Sequence, residues 1–183
     1  MAIRDILEVP DPRLRDVAQP IAKVDDDVRQ LAADMLETMY AANGIGLAAT
    51  QLGIDKRILV IDLQERVHED EEKDGEGESE PVRNPHVVIN PEILWVSDDL
   101  SIYNEGCLSI PEQYAEVERP ARCRVRWLDE TGADHEEELD GLMSTCMQHE
   151  IDHLDGVLFI DHISRLKRNM IVKKLEKLRK KAA

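Results

Sequence analysis

The sequence is 183 residues long with a formal net charge of −16, and 42% of it is hydrophobic but only 3% aromatic. This length is typical of one domain, which we expect to span residues 1–183 around an aliphatic core, and the negative charge argues against general nucleic-acid binding. There is no run of membrane-spanning length, the first residues lack the order of a signal peptide, and three cysteines do not suggest a disulfide framework. We therefore expect a cytoplasmic protein with reduced thiols.

The first part of the chain predicts one helix and one buried strand. Apolar residues recur at three- and four-residue intervals from Val28 to Met39, behind acidic residues that can cap a helix. The apolar run at 57–62 predicts a buried strand. Between them, the small and apolar segment 44–51 lacks the complete glycine pattern of a phosphate-binding loop, so nucleotide binding is not expected.

Residues 65–80 stand apart in composition. Nine of them are acidic and almost none is apolar, which predicts a solvated and mobile loop. After this loop, strand-like patterns occur at 86–90, 116–118, 121–127 and 135–139, with a hairpin turn at 129–134. Strands followed by segregated helices predict an α+β fold.

The strongest chemical signal is the segment 149–153, which reads His-Glu-Ile-Asp-His. Its two histidines project from one face of a helix and can share a metal ion, and Glu150 beside them is a candidate proton carrier. Gly141 before the segment and Asp155-Gly156 after it bound the predicted helix. Two unrelated surface histidines are the plainer interpretation, but the helical flanks argue against it.

A catalytic metal usually takes three protein ligands and leaves one position open for water. Phe159 stands where the metzincins have their third histidine, which excludes that family. Cys146 lies seven residues from His153, about 10 Å along a helix, so we expect it to line a pocket beside the metal instead. Cys123 belongs to the buried face of a predicted strand, where packing explains it.

Cys107 is the remaining candidate for the third ligand. Gly106 before it permits an unusual backbone approach, and Pro111 is expected to stop strand pairing soon afterwards. A Cys-His-His set with one open position would make a bound water acidic enough to attack a carbonyl, and Glu150 would carry its proton to a leaving nitrogen. The residues alone predict a metal-dependent hydrolase.

Three motifs of the chain resemble those of the peptide deformylase family, which read GΦGΦAAxQ, EGCLS and HExDH, where Φ is apolar. They occupy 44–51, 105–109 and 149–153 in the family's order. The similarity extends from the first strand through the C-terminal helix, and it is greatest to the bacterial type with a helical C-terminus. The resemblance implies an α+β fold in which antiparallel strands surround a central metal-binding HExxH helix.

The resemblance also implies roles for individual residues. The metal would be held by Cys107, His149 and His153, with Glu150 as general acid/base. Hydrogen bonds to the formyl oxygen would come from the Gln51 side chain and the Leu108 backbone N–H, although the residues alone favour a loop-fixing amide for Gln51. Glu105 would orient the metal-bearing loop or the first motif through hydrogen bonds. The residues implied to contact substrate are Gly44, Ile45, Gly46, Leu142 and Cys146.

The implied reaction removes the N-terminal formyl group from nascent chains that begin with formylmethionine and releases formate. The implied cofactor is one divalent metal ion, Fe²⁺ in the cell. Zn²⁺ and Ni²⁺ are higher in the affinity order and can replace it in isolated protein. Two alternatives stay open: another amidohydrolase or metallopeptidase with the same ligands, and a protein without activity whose metal is structural.

The C-terminal segment 164–181 is basic in an otherwise acidic chain. From Arg165 to Lys181 there are nine lysines or arginines and one acid. Such a helix can be merely a solvated face, but this concentration of charge favours a directed contact, which the resemblance places on ribosomal RNA near the peptide exit. We expect a monomer that does not contact a membrane.

Overall fold

The structure is a computed structural model that describes residues 2–65 and 81–183. The predicted acidic loop at 65–80 lies, apart from Glu65, outside the described residues. None of the helices in the described ranges combines the length and the apolar composition needed to cross a membrane.

Helices and antiparallel strands alternate along the chain, and the elements that the sequence predicts appear in the expected order. The elements are α1 (Asp26–Ala41), β1 (Gly46–Ala48), β2 (Ile58–Ile61), β3 (His86–Val96), β4 (Leu100–Cys107), β5 (Ile110–Pro120), β6 (Cys123–Leu128), β7 (Asp134–Leu139), α2 (Gly141–Leu154) and α3 (Arg165–Ala182). Short 3₁₀ helices cover Pro12–Arg15, Ala49–Leu52 and Phe159–His162. The α+β fold with a C-terminal helix is confirmed.

The larger of two sheets has five antiparallel strands in the order β1-β2-β3-β6-β7. Its strand β2 is buried on both faces, because Ile58 and Val60 pack towards α1 whereas Leu59 and Ile61 pack towards α2. Each such fully buried aliphatic side chain contributes about 1.5–3 kcal/mol. The sheet is therefore held between the two helices.

Helix α1 begins where the sequence predicts a cap. The Asp25 side chain accepts a hydrogen bond from the Val28 backbone N–H at 3.0 Å. One stripe of the helix then packs on the sheet, and it includes Leu31, Met35 and Met39. This helix closes the side of the sheet opposite α2.

Helix α2 lies between the two sheets. Met147, Ile151 and Leu154 pack on the five-stranded sheet. On its other side, α2 forms side-chain hydrogen bonds with the second sheet, a hairpin of β4 and β5. That hairpin packs through Ile110 and Val117 against Phe159, Ile171 and Leu175 of the following elements. Antiparallel strands thus flank the helix, as the family resemblance implies.

The hairpin of β4 and β5 corrects two expectations. The sequence predicted strand only at 116–118 of it, because β4 has no alternating apolar pattern and most of its residues are polar or exposed. Pro111 interrupts the pairing but does not end it, because residues 111–113 have no partner on β4 and the pairing resumes at Tyr114 within β5. Cys107 pairs with Ile110 but Gly106 pairs with Tyr114, so the intervening residues bulge out. A proline in a bulge need not donate a ladder hydrogen bond.

Candidate metal centre

Cys107, at the end of β4, meets two histidines of α2. Its Sγ lies 3.2 Å from His153 Nε2, and that nitrogen lies 3.2 Å from His149 Nε2. All three donor atoms fall within 4.8 Å of one another. Ligands of one tetrahedral ion, with bonds of about 2.0–2.3 Å, stand about 3.3–3.6 Å apart. The three side chains fit around one metal ion.

The backbone around Cys107 explains how a strand can approach the helix so closely. Leu108 and Ser109 connect Cys107 to its pairing partner Ile110. On the neighbouring pair, the ring of Tyr114 covers Gly106, where an added Cβ would stand 2.4 Å from Tyr114 Cε1. With glycine at this position, the ring of Tyr114 can lie against the strand beside Cys107 without moving aside for a side chain.

A buried cluster of charged residues lies behind the donors and consists of Glu105, Arg119, His149 and Asp152. Arg119 donates to Glu105 at 2.7 and 3.0 Å and to Asp152 at 2.8 Å. Glu105 Oε1 lies 2.8 Å from His149 Nδ1. The cluster joins β4, β5 and α2 at one point.

A hydrogen bond fixes which nitrogen of His149 is available. The carboxylate of Glu105 accepts from Nδ1–H of His149, so Nε2 can bind a metal. Burial opposes the charged form of His149, but the interactions with the nearby Cys107 thiol and with the Glu105 carboxylate outweigh it and raise its pKa well above the ordinary value. Burial lowers the pKa of His153, which stays neutral. A metal ion entering this site would displace the proton of His149.

Glu150 stands beside the donors with its carboxylate poised between proton states. Its Oε1 is 4.0 Å from His149 Nε2, and among the described residues its buried Oε2 has no hydrogen-bond partner. Burial raises the pKa of Glu150 to about 7. A Cβ on Gly46 would lie 2.5 Å from Oε1, so the first motif needs a glycine at this contact. The carboxylate can therefore accept and release a proton near neutral pH.

An open cavity of about 440 Å³ leads to the donors. Its wall includes Cys107, His149 and Glu150 together with every residue predicted to contact substrate, namely Gly44, Ile45, Gly46, Leu142 and Cys146. The Cys146 thiol is not part of the donor cluster. Burial raises its pKa to about 12, so it stays protonated. The cavity brings all three sequence motifs to one surface.

Comparison with known proteins assigns this arrangement to a family. A family model described as polypeptide deformylase matches residues 3–169. The peptide deformylase of Rhizorhabdus wittichii is 64% identical over 180 residues, which cover 98% of this chain and 97% of the relative. The chain belongs to the polypeptide deformylase family. The peptide deformylase of Novosphingobium aromaticivorans is 59% identical over 188 residues and the full length of both chains.

Solved deformylase structures have the same fold. The peptide deformylase of Legionella pneumophila superposes with a TM-score of 0.83 at 41% identity, covering 98% of this chain and 96% of that one. The Ehrlichia chaffeensis enzyme in complex with actinonin gives 0.84 at 38% identity, covering 97% and 98%. Peptide deformylases are metalloenzymes that remove the N-terminal formyl group from nascent polypeptides, and the predicted enzyme activity is confirmed.

The side-chain amide of Gln51, in the first motif of this deformylase, is held by hydrogen bonds to neighbouring residues. Gln51 accepts from the Ala48 N–H at 2.9 Å, and its Nε2 donates to Ser109 Oγ at 3.0 Å and to Cys107 Sγ at 3.5 Å. These contacts match the loop-fixing amide that the residues alone favoured. The hydrogen bond to Cys107 is the longest of the three and therefore the weakest. It is the one that Nε2 can most readily exchange for a bond to another acceptor. Leu108 lies on the hairpin turn with its side chain against Gly44.

Sequence reasoning missed two residues that lie behind the candidate metal ligands. Glu105 was predicted, but Arg119 and Asp152 were not. A usable signal exists in β5, where Val117 and Arg119 lie on the same buried face. A charged residue on the apolar face of an alternating strand needs a buried partner. The partner's identity depends on how the hairpin packs against α2.

Proposed function

We propose that this deformylase binds one divalent metal ion through Cys107, His149 and His153 and uses Glu150 as its general acid/base. The observation that carries the proposal is the close approach of the three donor atoms, within 4.8 Å of one another, beside a buried carboxylate. When bound, the ion would act as a Lewis acid that activates water and polarises a carbonyl.

Glu150 would move the proton that the hydrolysis requires. Its carboxylate accepts a proton from the attacking water while the new C–O bond forms at the formyl carbon. It then delivers that proton to the leaving nitrogen as the C–N bond breaks, which yields formate and a free amine. The pKa of about 7 that burial gives this group suits both transfers. The absence of a hydrogen-bond partner for Oε2 within the described residues leaves that oxygen free for water.

Gln51 and Leu108 would stabilise the negative charge that develops on the formyl oxygen. The Gln51 amide lies within 3.5 Å of the Cys107 thiol, so it is next to the proposed metal position. It would exchange this weak contact for the oxyanion and keep its hydrogen bonds to Ser109 and Ala48, which hold the amide in place. The backbone N–H of Leu108 would be the second donor.

The cavity would receive the methionine side chain of the substrate. The cavity wall includes Ile45, Leu142 and Cys146, which suit an unbranched apolar side chain. Gly44 and Gly46 line the same cavity and would lie along the substrate backbone. Glu105 would hold His149 in the orientation that the ion requires.

We infer that the working ion in the cell is Fe²⁺. A thiolate with two imidazoles accepts several first-row metals, and Zn²⁺ and Ni²⁺ compete well for such a set. The preparation with the highest turnover, rather than the preparation with the tightest ion, would therefore identify the working metal. Metal analysis of each preparation alongside its turnover tests this inference.

We further infer that residues 1–183 form one domain acting as a monomer in the bacterial cytoplasm, with α3 docked on the ribosome. Ile171 and Leu175 attach α3 to the body, whereas Lys173, Lys174 and Lys177 are exposed. A basic helix on an acidic protein suits binding to ribosomal RNA. Co-sedimentation with ribosomes should weaken steeply with salt, and sedimentation equilibrium would report the oligomeric state.

The assay that tests the proposed function measures formate release from formyl-Met peptides. Glu150→Gln should retain the metal and lose about 10²- to 10⁴-fold in turnover. Glu136→Gln, an exposed change of the same charge on β7, is the matched control and should be as active as the parent. Near-normal turnover by Glu150→Gln would refute the mechanism.

Unformylated and formylated peptides separate the alternatives. Cleavage of an unformylated peptide would indicate a general amidohydrolase or peptidase, and metal binding without formate release would indicate a structural ion. The proposed function requires formate release with the unformylated peptide intact.

A further inference from the structure

One side chain of the cavity wall carries a polar group that the proposed mechanism does not use. Leu142, Thr145, Cys146 and His149 occupy one stripe of α2, and all four line the cavity. Thr145 is only 4% exposed. Its Oγ1 is buried and, among the described residues, has no hydrogen-bond partner.

A buried hydroxyl without a partner destabilises the protein that contains it. A threonine in a helix commonly satisfies its hydroxyl on a backbone carbonyl of the preceding turn, but Thr145 does not. Two rotamers are accessible to a helical threonine, and a χ1 rotation of about 120° between them carries Oγ1 to a different staggered position. Because the residue lies on the cavity wall, this rotation can bring the hydroxyl to a molecule inside the cavity.

The other side chains of the stripe offer little to a polar atom of a substrate. Leu142 has no donor, and the thiol of Cys146 is a weak one. His149 has its Nδ1 on Glu105 and its Nε2 among the metal donors. The hydroxyl of Thr145 is therefore the strongest donor on this stripe.

We propose that Thr145 is a specificity-determining residue whose hydroxyl donates a hydrogen bond to the thioether sulfur of the substrate's methionine. The proposal rests on the proposed function, which assigns this cavity to that side chain. Sulfur is the one acceptor that a methionine side chain carries, and it is a weak one. Norleucine has the same length with a methylene in place of the sulfur, so it cannot accept the bond. The hydroxyl would favour methionine over this otherwise matched side chain.

The experiment compares formyl-Met-Ala-Ser with formyl-norleucyl-Ala-Ser as substrates of the metal-loaded enzyme. Thr145→Val, which removes the hydroxyl at nearly constant volume, should lower the methionine-to-norleucine ratio of kcat/KM about two- to fivefold. The change should fall on KM rather than kcat, because the bond is made equally in the ground and transition states. Since Val leaves no unpaired hydroxyl, the melting temperature should not fall.

Two further variants keep the proposal falsifiable. Thr145→Ser keeps the hydroxyl and should retain the parent ratio. Tyr103→Phe removes another hydroxyl from the cavity wall and should also retain it. An unchanged ratio in Thr145→Val, or a ratio lowered equally in Thr145→Ser, would overturn the proposal. Failure of the parent enzyme to release formate from either peptide would instead overturn the proposed function, and this inference with it.

Discussion

Charged side chains pair in two very different surroundings in this molecule. In the buried cluster behind the proposed metal donors, Arg119 and Glu105 are 2.7 Å apart, with side-chain exposures of 5% and 6%. On the outer face of β6 and β7, Arg126 and Asp134 are 3.2 Å apart, with exposures of 56% and 62%. The two ion pairs have similar contact distances, but one is buried and the other is exposed to water. Burial therefore decides how much each pair matters for stability.

The energetic difference follows from solvation. When an exposed ion pair forms, each charge gives up contacts with water for a contact with its partner. The pair therefore contributes little to the free energy of unfolding. A buried pair has already lost its water, and removal of one partner leaves an uncompensated charge that costs about 3–5 kcal/mol. The pairs on β6 and β7 therefore add little to stability, whereas the buried cluster holds β4, β5 and α2 together around the proposed donors.

The largest effect is expected from Arg119→Met, which leaves Glu105 and Asp152 without their shared partner. The free energy of unfolding should fall by about 3–5 kcal/mol, measured by urea denaturation. Arg119→Lys keeps the charge but cannot span both carboxylates with a planar fork, so it should recover only part of the loss. Equal stability of Arg119→Met and the parent would show that the cluster does not hold these elements together.

Glu105→Gln tests the same cluster on the side that faces the proposed metal site. The neutral amide would no longer match the charge of Arg119 and would hold His149 Nδ1 more weakly. The affinity for a divalent ion should fall about 10- to 100-fold, measured by competition with a chelator. Glu116→Gln on the exposed side of β5 is the control. Unchanged metal affinity in Glu105→Gln would remove the orienting role from this carboxylate.

Residue patterns brought out the proposed donors, which the structure places together, but not the residues behind them, and the reason is physical. His149 and His153 are related by one turn of one helix, so local geometry sets their spacing. Cys107 could be found by elimination among three cysteines. Arg119 meets Glu105 and Asp152 only because a bulged hairpin packs on α2, and that packing is not written in any local period. The same applies to β4, whose polar sequence gives no strand signal.

Asp129, in the turn between β6 and β7, has a side-chain exposure of 22%, between that of the buried cluster and that of the surface pairs. Hydrogen bonds from the Thr131 hydroxyl and then from His135 hold its pKa well below the ordinary value. A lowered folded-state pKa stabilises the fold above the unfolded-state pKa. That contribution should fade from about pH 5 downward, as the pH falls towards the folded-state pKa.

Asp129→Asn should therefore cost about 1 kcal/mol of unfolding free energy at pH 7, since it weakens charge-assisted hydrogen bonds but keeps an acceptor. The difference from the parent should shrink as the pH is lowered from 5 towards 3. Urea denaturation at each pH measures it. A difference that grows on acidification would mean that the charge of Asp129 does not stabilise the turn.

The smallest effect is expected from Arg126→Gln, at the exposed end of the comparison. Both members of its pair with Asp134 face water, so the guanidinium is solvated whether or not the carboxylate is near. Glutamine keeps the first part of the aliphatic stem, and the ladder between β6 and β7 uses backbone groups only. The urea midpoint should match that of the parent at both low and high salt, because screening acts on a contact that contributes nothing measurable. A clear loss of stability in Arg126→Gln that disappears at high salt would show that the surface pairs act as a network. The stability contributions of the exposed pairs and of the buried Arg119 cluster would then differ less than expected.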